Sequence, residues 1–433
     1  MLIEFKFTNY RSFRDETVLS MEAMGLGTYK SCLIPFRNKR LLPAAAIYGK
    51  NGGGKSNVIR AFWLAVQFIR NAQRTQHENA AIPVQPFLLN DTSCDEPTSF
   101  EFIYTIADVK YVYGFSATKK EVFKEYLYYA PKGQLSMVFE RDHQNFTFRD
   151  NSEKKRRQLI SEAVGSNQLY FAIACTMNET ACQKAMSWFR ENIFFSRDYT
   201  DIPAQLIEYS EKPDMLAAIK KYAENADVGI QDMNFEFRNE EIKDASNTGD
   251  IPSGIVAALT QFAKALSDIS DTSEIKLQRS EVNATSYHKG LKSDGSEALF
   301  ELQLADESDG TRKLMALAPA IERALECGGL LLVDELEKEM HPLMVEMIVS
   351  KFQSQSSNPN HAQIIFTTHD TELLNMNILR KDQLYFADKS KKDGASELYS
   401  VSELQTPTNE NIRKGYLLGK YGGTPDIEIE EVE

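Results

Sequence analysis

Gly49-Lys50-Asn51-Gly52-Gly53-Gly54-Lys55-Ser56 fits the pattern G-x-x-x-x-G-K-[ST] in full. The apolar run Ala44-Ala45-Ala46-Ile47-Tyr48 precedes it, and a segment with Val58, Phe62, Val66 and Ile69 on one helical face follows it. Strand, glycine loop and helix in that order is the setting a phosphate-binding loop needs, and a chance glycine-rich turn lacks it. The glycines let backbone N–H groups turn inward around phosphate oxygens without Cβ clashes. The helix start adds unpaired N–H groups and the positive end of its dipole. The pattern predicts that Gly49, Lys50, Asn51, Gly52, Gly53 and Gly54 cradle the phosphates of ATP. Lys55 is expected to reach the β- and γ-phosphates, and the Ser56 hydroxyl to ligate Mg²⁺.

A second stretch supplies what such a loop lacks. Leu330-Leu331-Leu332-Val333-Asp334-Glu335 is an apolar run ending in two carboxylates. A continuous apolar run suits a parallel strand buried on both faces, and ligands bind at the carboxyl ends of such strands. Asp334 is expected to hold Mg²⁺, directly or through water, and Glu335 to orient or deprotonate the attacking water. Gln363-Ile364-Ile365-Phe366-Thr367-Thr368-His369-Asp370 reads as another buried strand, ending in a histidine placed to donate to a γ-phosphate. A lone histidine is more commonly structural. Glu307-Ser308-Asp309-Gly310-Thr311 precedes a helix and forms a potential anion cup, although by itself it reads as an ordinary N-cap on Ser308 or Thr311.

The bulk composition narrows the class. With 433 residues, 42% hydrophobic and 26% charged, the chain is globular and long enough for one large domain or several ordinary ones. A net charge of −13 argues against a surface coated for nucleic acid, so any such contact needs a local basic patch. Lys154-Lys155-Arg156-Arg157 and the smaller basic groups read as solvated faces. Cysteines at 32, 94, 175, 182 and 327 are odd in number and lack metal-knuckle spacing, which suits a reduced cytoplasmic protein. Met1–Lys6 alternates like a strand rather than a signal peptide, and no apolar run approaches membrane-spanning length.

Along the chain, residues 2–7 and Thr17–Met21 read as strands around the polar turn Asn9–Phe13. Ser99–Phe148 reads as antiparallel strands. From about 152 to 270 the character is mainly helical, over Arg157–Thr176, Gln183–Asn192 and Pro213–Ala226, with no sustained heptad. Strands return over 271–304, including Ile275 and Leu277. A helix is expected near Arg312, kinked or split by Pro319 and closed by Gly328-Gly329. The tail Asp426–Glu433 is acidic and is expected to fray.

Taken together and in this order, these motifs resemble the ABC-class ATPase heads of the SMC, RecF and OLD branch. The loop reads G-x-N-G-x-G-K-S with Asn51, Glu307–Thr311 looks like the signature motif, and Asp334-Glu335 with His341-Pro342 looks like Walker B and its following turn. His369 looks like the switch histidine. Asn9-Tyr10-Arg11-Ser12-Phe13 resembles the N-terminal motif whose arginine, here Arg11, approaches nucleotide phosphates. Pro86–Leu89, Phe366–Asp370 and Gly415–Gly422 are similar to the standalone ATPases of bacterial phage-defence operons, of the RloA/AbiL type, with the Septu and PARIS ATPases as relatives. The resemblance covers most of the chain and is weakest between about 152 and 270. No glutamine stands out as the Q-loop residue beyond Gln85, and the short stretch after His369 is not expected to hold an OLD nuclease domain.

The resemblance implies an α/β fold: a P-loop ATPase head with a mixed sheet and an antiparallel β lobe, split between residues 1–151 and 271–433 by a mainly helical insert at 152–270. It implies ATP and Mg²⁺ as ligands and catalytic roles for Lys55, Glu335 and His369. It also implies a head dimer, or a higher oligomer, in which Ser308, Gly310 and Thr311 of one copy meet ATP on the other. The expected function is an ATP-driven sensor that controls a separately encoded effector, a nuclease or toxin-like protein, in antiphage defence. The alternatives are a RecF-like DNA-repair ATPase, disfavoured by the acidic charge, and a nucleotide-binding scaffold with little turnover. A transporter ATPase is disfavoured by the large insert and the altered signature.

Overall fold

The computed structural model describes residues 1–25, 30–75, 80–149, 151–197, 199–226, 229–241, 278–375, 378–404 and 410–424. The readings at Ile275, Leu277 and Asp426–Glu433 lie outside the described residues, as does the later part of the expected helical insert. By compactness the chain divides into one unit of residues 1–196 and 320–433 and another of residues 197–319.

In the first unit the mainly apolar, buried runs form the core of the central sheet. β5 (Ala44–Tyr48), β15 (Leu330–Val333) and β16 (Gln363–Thr367) are buried at every position. Their sheet has the order β11 (Ile193–Phe195), β15, β16, β5, β17 (Leu384–Lys389), β18 (Ser396–Ser400). All neighbours are parallel except β17 and β18. The loop after β5 and the acidic end of β15 therefore emerge from the same edge, with β16 between them.

The alternating runs form the other large sheet. β1 (Leu2–Thr8), β2 (Thr17–Ser20), β6 (Thr98–Ile106), β7 (Val109–Ala117), β8 (Val122–Ala130), β9 (Ser136–Asp142) and β10 (Asn145–Phe148) pair antiparallel in the order β10-β9-β8-β7-β6-β1-β2. α1 (Lys55–Thr75) buries the face carrying Val58, Phe62, Val66 and Ile69, as its spacing predicts. The Phe62 ring lies 4.7 Å from Phe5 and 5.1 Å from Phe102 on the antiparallel sheet, and 6.4 Å from Phe195 on the parallel one. Gln363 adds a polar tie: its side chain accepts from Leu2 N–H at 2.6 Å and donates to the carbonyls of Leu2 and Leu42 at 3.0 Å.

The boundaries of the expected insert differ from those of the compact units. α2 (Lys154–Glu162), α3 (Tyr170–Thr176) and α4 (Thr180–Glu191) belong to the first unit. The reason is aromatic packing: Trp188 stacks on Tyr104 at 4.5 Å, and Phe171 lies 4.3 Å from Tyr113. The helix-like run Arg157–Thr176 is two helices, because Arg141 draws the carbonyls of Gly165, Ser166 and Gln168 into a loop between them.

The second unit holds α5 (Ile202–Glu208), α6 (Pro213–Ala226) and the antiparallel sheet β12 (Ile230–Glu241), β13 (Gln278–Leu291), β14 (Glu297–Gln303). The helix expected near Arg312 is α7 (Asp309–Cys327), which runs unbroken through Pro319. Proline removes one donor, but Leu317, Ala318 and Ile321 around it are buried and hold the turn. The boundary between the units falls directly after Pro319. Gly328, at φ +65°, ends the helix as expected. Among the described residues, no helix is long and apolar enough to cross a membrane.

Candidate nucleotide site

The glycine loop is shaped by what lies behind it. Gly49 has φ +151°, and a Cβ there would sit 2.2 Å from the Ala387 carbonyl oxygen on β17, so only glycine allows this approach. Lys55 opens α1 and is nearly buried. Its Nζ donates to the carbonyls of Gly49 at 2.8 Å and Lys50 at 3.2 Å, holding the amine inside the loop. Lys50, expected to contact nucleotide, turns its ammonium away to Asp388 (2.8 Å) and the Lys389 carbonyl (3.2 Å). Its side chain braces the loop, leaving the backbone for a ligand. Asn51 and Gly52 are exposed, Gly53 and Gly54 buried, and Ser56 half-buried at the helix start.

The N-terminal turn packs beside this helix start. Arg11, at φ +50°, donates its backbone N–H to the Gln85 carbonyl at 2.8 Å and its Nε to Gln85 Oε1 at 2.6 Å. Its Nη1 lies 3.4 Å from Asn57 Oδ1, and Asn57 Nδ2 donates to Ser12 Oγ at 2.9 Å. Gln85 is therefore a neighbour of Arg11 and of the first turn of α1. Asn9 holds the turn in place: its amide donates to Ser93 and Glu96 carbonyls, and its oxygen accepts from Phe87 N–H.

At the end of β15, Asp334 and Glu335 share one organiser on the next strand. The Thr367 hydroxyl donates to Asp334 Oδ1 at 2.6 Å and accepts from Glu335 N–H at 2.8 Å. Glu335 has φ +51°, an uncommon conformation for glutamate, as the chain leaves the strand. Glu337 then reaches back, its Oε1 accepting from His369 N–H at 2.6 Å. His341 caps α8 (Pro342–Gln353) through Nδ1, which accepts from Leu343 N–H at 3.2 Å.

These groups share an electrostatic environment. Burial lowers the pKa of Lys55, and the carboxylates of Glu337, Asp334 and Glu335 oppose that shift. Burial, then the charge of Lys55, lowers the His369 pKa, again against Glu337, Glu335 and Asp334. Lys55, Asp334, Glu335 and His369 are thus brought together. Thr367 and Glu337 join them without having been singled out, and Asn57 joins Arg11 beside the start of α1. Thr367 and Glu337 carried a signal: each lies within three residues of a motif residue, on a strand or turn already assigned to the site.

The signature-like segment, described within its own unit, is an N-cap. Thr311 N–H donates to Ser308 Oγ at 3.1 Å, the two hydroxyls lie 2.9 Å apart, and Arg312 N–H donates to the Ser308 carbonyl. Gly310 lies in the first turn of α7 and Thr311 is buried. Glu307 is held from behind by His288 Nε2 at 2.7 Å and by the Ser286 hydroxyl.

The glycine loop between a buried parallel strand and a helix, with acids on a nearby strand end, defines a P-loop ATPase fold. The chain belongs to the family described as "AAA domain, putative AbiEii toxin, Type IV TA system", whose profile matches residues 44–375. Among solved structures it is similar to the SmcHead bound to the C-winged helix domain of ScpA, at 12% identity and a TM-score of 0.39, over 92% of this chain and 97% of that one. That similarity is too distant to carry an argument.

Proposed function

We propose that this protein is a Mg²⁺-dependent ATPase whose nucleotide is clasped between two copies of the chain. The observation that carries the reading is the single cluster of a loop-bound Lys55, the Asp334-Glu335 pair and His369. The fit to a phosphate tail rests on the Lys55 amine already held by the loop's carbonyls, in a glycine loop whose Gly49 packs tightly against the Ala387 carbonyl behind it. The fit to Mg²⁺ rests on a hard donor set, the Ser56 hydroxyl and an Asp334 carboxylate oriented by Thr367. When bound, the cation would supply charge neutralisation to the phosphate tail.

In the proposed reaction, water attacks the γ-phosphorus in line. The new O–P bond forms as the bond to the bridging β–γ oxygen breaks, giving ADP and phosphate. Glu335 takes the proton from the water, Lys55 offsets charge on the phosphoryl oxygens, and His369 donates to the γ-phosphate. Ser308, Gly310 and Thr311 of the other copy close the site. With Ser308 Oγ engaged as a cap, the α7 N-terminus offers its N–H groups and dipole to an anion. Arg11 is assigned to the nucleotide through its place beside Asn57 on α1.

The family description speaks of a toxin of a toxin–antitoxin system. In keeping with it, we assign the chain to bacterial antiphage defence as a cytoplasmic switch whose ATP cycle restrains or releases a separately encoded effector. The test is phosphate release by the purified protein with ATP and Mg²⁺. Turnover in the wild type, with Lys55→Ala and Glu335→Gln each reduced at least ~100-fold, is the expected result. Undiminished release by Glu335→Gln removes the assignment.

A further inference from the structure

Where β16 ends, the chain must present His369 to the site without a strand to hold it. Each N–H in this turn finds a different partner. Thr368 N–H donates to the Ile47 carbonyl at 3.1 Å, and Asp370 N–H to Thr368 Oγ1 at 3.0 Å. His369 N–H alone of these goes to a side chain of the segment after β15, Glu337 Oε1, at 2.6 Å. A carboxylate accepting a backbone N–H at that length is a strong, charge-assisted contact.

The second oxygen of this carboxylate, Oε2, is buried and has no hydrogen-bond partner among the described residues. Leaving a buried carboxyl oxygen unpaired is costly for the fold, so packing alone does not account for a glutamate here. Of the nearby acids, Glu337 acts most strongly on both Lys55 and His369, more so than Asp334 or Glu335. The fully buried Tyr48 hydroxyl, at the end of β5, has Asp370 and Glu337 as its acidic neighbours and likewise lacks a hydrogen-bond partner among the described residues. Glu337 thus stands where the ends of β5, β15 and β16 meet.

We propose that Glu337 is the positioning residue for His369: its carboxylate fixes the histidine's main chain against the Asp334-Glu335 turn, so that the imidazole is held in the nucleotide site. The inference rests on the ATPase reading for its kinetic consequence, but not for the contact itself. It makes Glu337 act through His369 rather than on substrate, and the two residues must then fail together.

Two variants separate the hydrogen bond from the charge. Glu337→Gln keeps an oxygen to accept from His369 N–H, and Glu337→Ala removes it. Steady-state ATP hydrolysis is measured for both, for His369→Ala and for the double variant Glu337→Ala/His369→Ala, with thermal midpoints checked on each. The expected result is a kcat fall of about tenfold or more in Glu337→Ala with KM for ATP within about twofold, and recovery to within about threefold in Glu337→Gln. The double variant is expected to be no slower than His369→Ala alone. Equal loss in Glu337→Ala and Glu337→Gln, or additive loss in the double variant, overturns the proposal.

The His369 amide proton resonance reads the contact without turnover: it should lie downfield in the wild type and Glu337→Gln, and move upfield in Glu337→Ala. No movement also overturns the proposal. If the wild type releases no phosphate while the resonance moves as expected, the ATPase reading fails and the Glu337 contact stands.

Discussion

Thr367 shows how one hydroxyl can organise a site. It donates to Asp334 and accepts from the Glu335 backbone, so both carboxylate residues take their orientation from a neighbouring strand. Thr367→Val keeps the β-branched shape and removes both contacts. Titration of the ATPase rate with Mg²⁺ should then show apparent metal affinity weakened by ~10–100-fold, the usual effect of removing a group that orients a metal-binding carboxylate. A structural residue makes the contrasting case. Burial raises the Glu179 carboxyl pKa, but Cys182 N–H and Arg157 outweigh it and the net pKa lies below its ordinary value. Arg157 Nη2 lies 2.7 Å from Glu179, both being nearly buried. Glu179→Ala strands the arginine and should cost about 3–5 kcal/mol in denaturant unfolding. Because the folded pKa is depressed, the stabilisation is complete above the unfolded value of ~4.3 and is lost as pH falls through the folded one. The thermal midpoint of the wild type should therefore drop more steeply than that of Glu179→Gln between roughly pH 5 and pH 3.

Legibility in the sequence follows the same division. Lys55, Ser56, Asp334 and Glu335 are readable because their chemistry demands fixed spacing on a strand end or helix start. Glu337 and Thr367 are legible only as neighbours of motif residues; the contacts that give them a role reach across to another strand's segment, and only the sheet order brings those together.

At the scale of elements, the glycine loop is gripped from behind. Asp388 at the end of β17 holds Lys50 and also accepts from the Gly423 N–H. α9 (Ile412–Leu417) brings Tyr416 within 5.0 Å of Phe386 in a parallel stack and 6.1 Å from Tyr48. Arg413 on the same helix pairs with Glu372, just after His369, at 2.6 Å. Asp388→Ala should loosen the loop by ~1 kcal/mol, which amounts to about fivefold weaker ATP binding by fluorescence titration with kcat little changed. Strands and helices with one dominant period are plain from the residues: β5, β15, β16 and α1 all lie where the pattern puts them. Pro319 misleads because burial around it outweighs one missing donor. The grip by residues near 388 and 423 is invisible because no local pattern encodes a contact of such separation.

For the whole molecule, the units at 1–196 with 320–433, and at 197–319, differ from the insert expected at 152–270. A change from strand to helix composition marks a change of element, not the edge of a core; Phe171, Trp188 and Phe189 complete the aromatic core of the antiparallel sheet. The proposed pairing of copies belongs at this scale. Glu335→Gln with ATP and Mg²⁺ should double in mass by light scattering. Ser308→Arg in that background should remain a monomer, while a dimer of it would remove Ser308 from the seam.

The central sheet also sets a timetable for synthesis. β5 lies between β16 and β17, whose residues are 363–367 and 384–389. At ~5–20 residues per second, the strand preceding the glycine loop waits roughly 15–60 s on the ribosome for its first neighbour. The strands of the antiparallel sheet are all made by Phe148 and can pair in the meantime. The nascent chain thus carries an apolar strand that has no hydrogen-bonded neighbour until translation is well advanced. ATP cannot aid that early stage, so shielding of β5 falls to the already folded lobe or to chaperones.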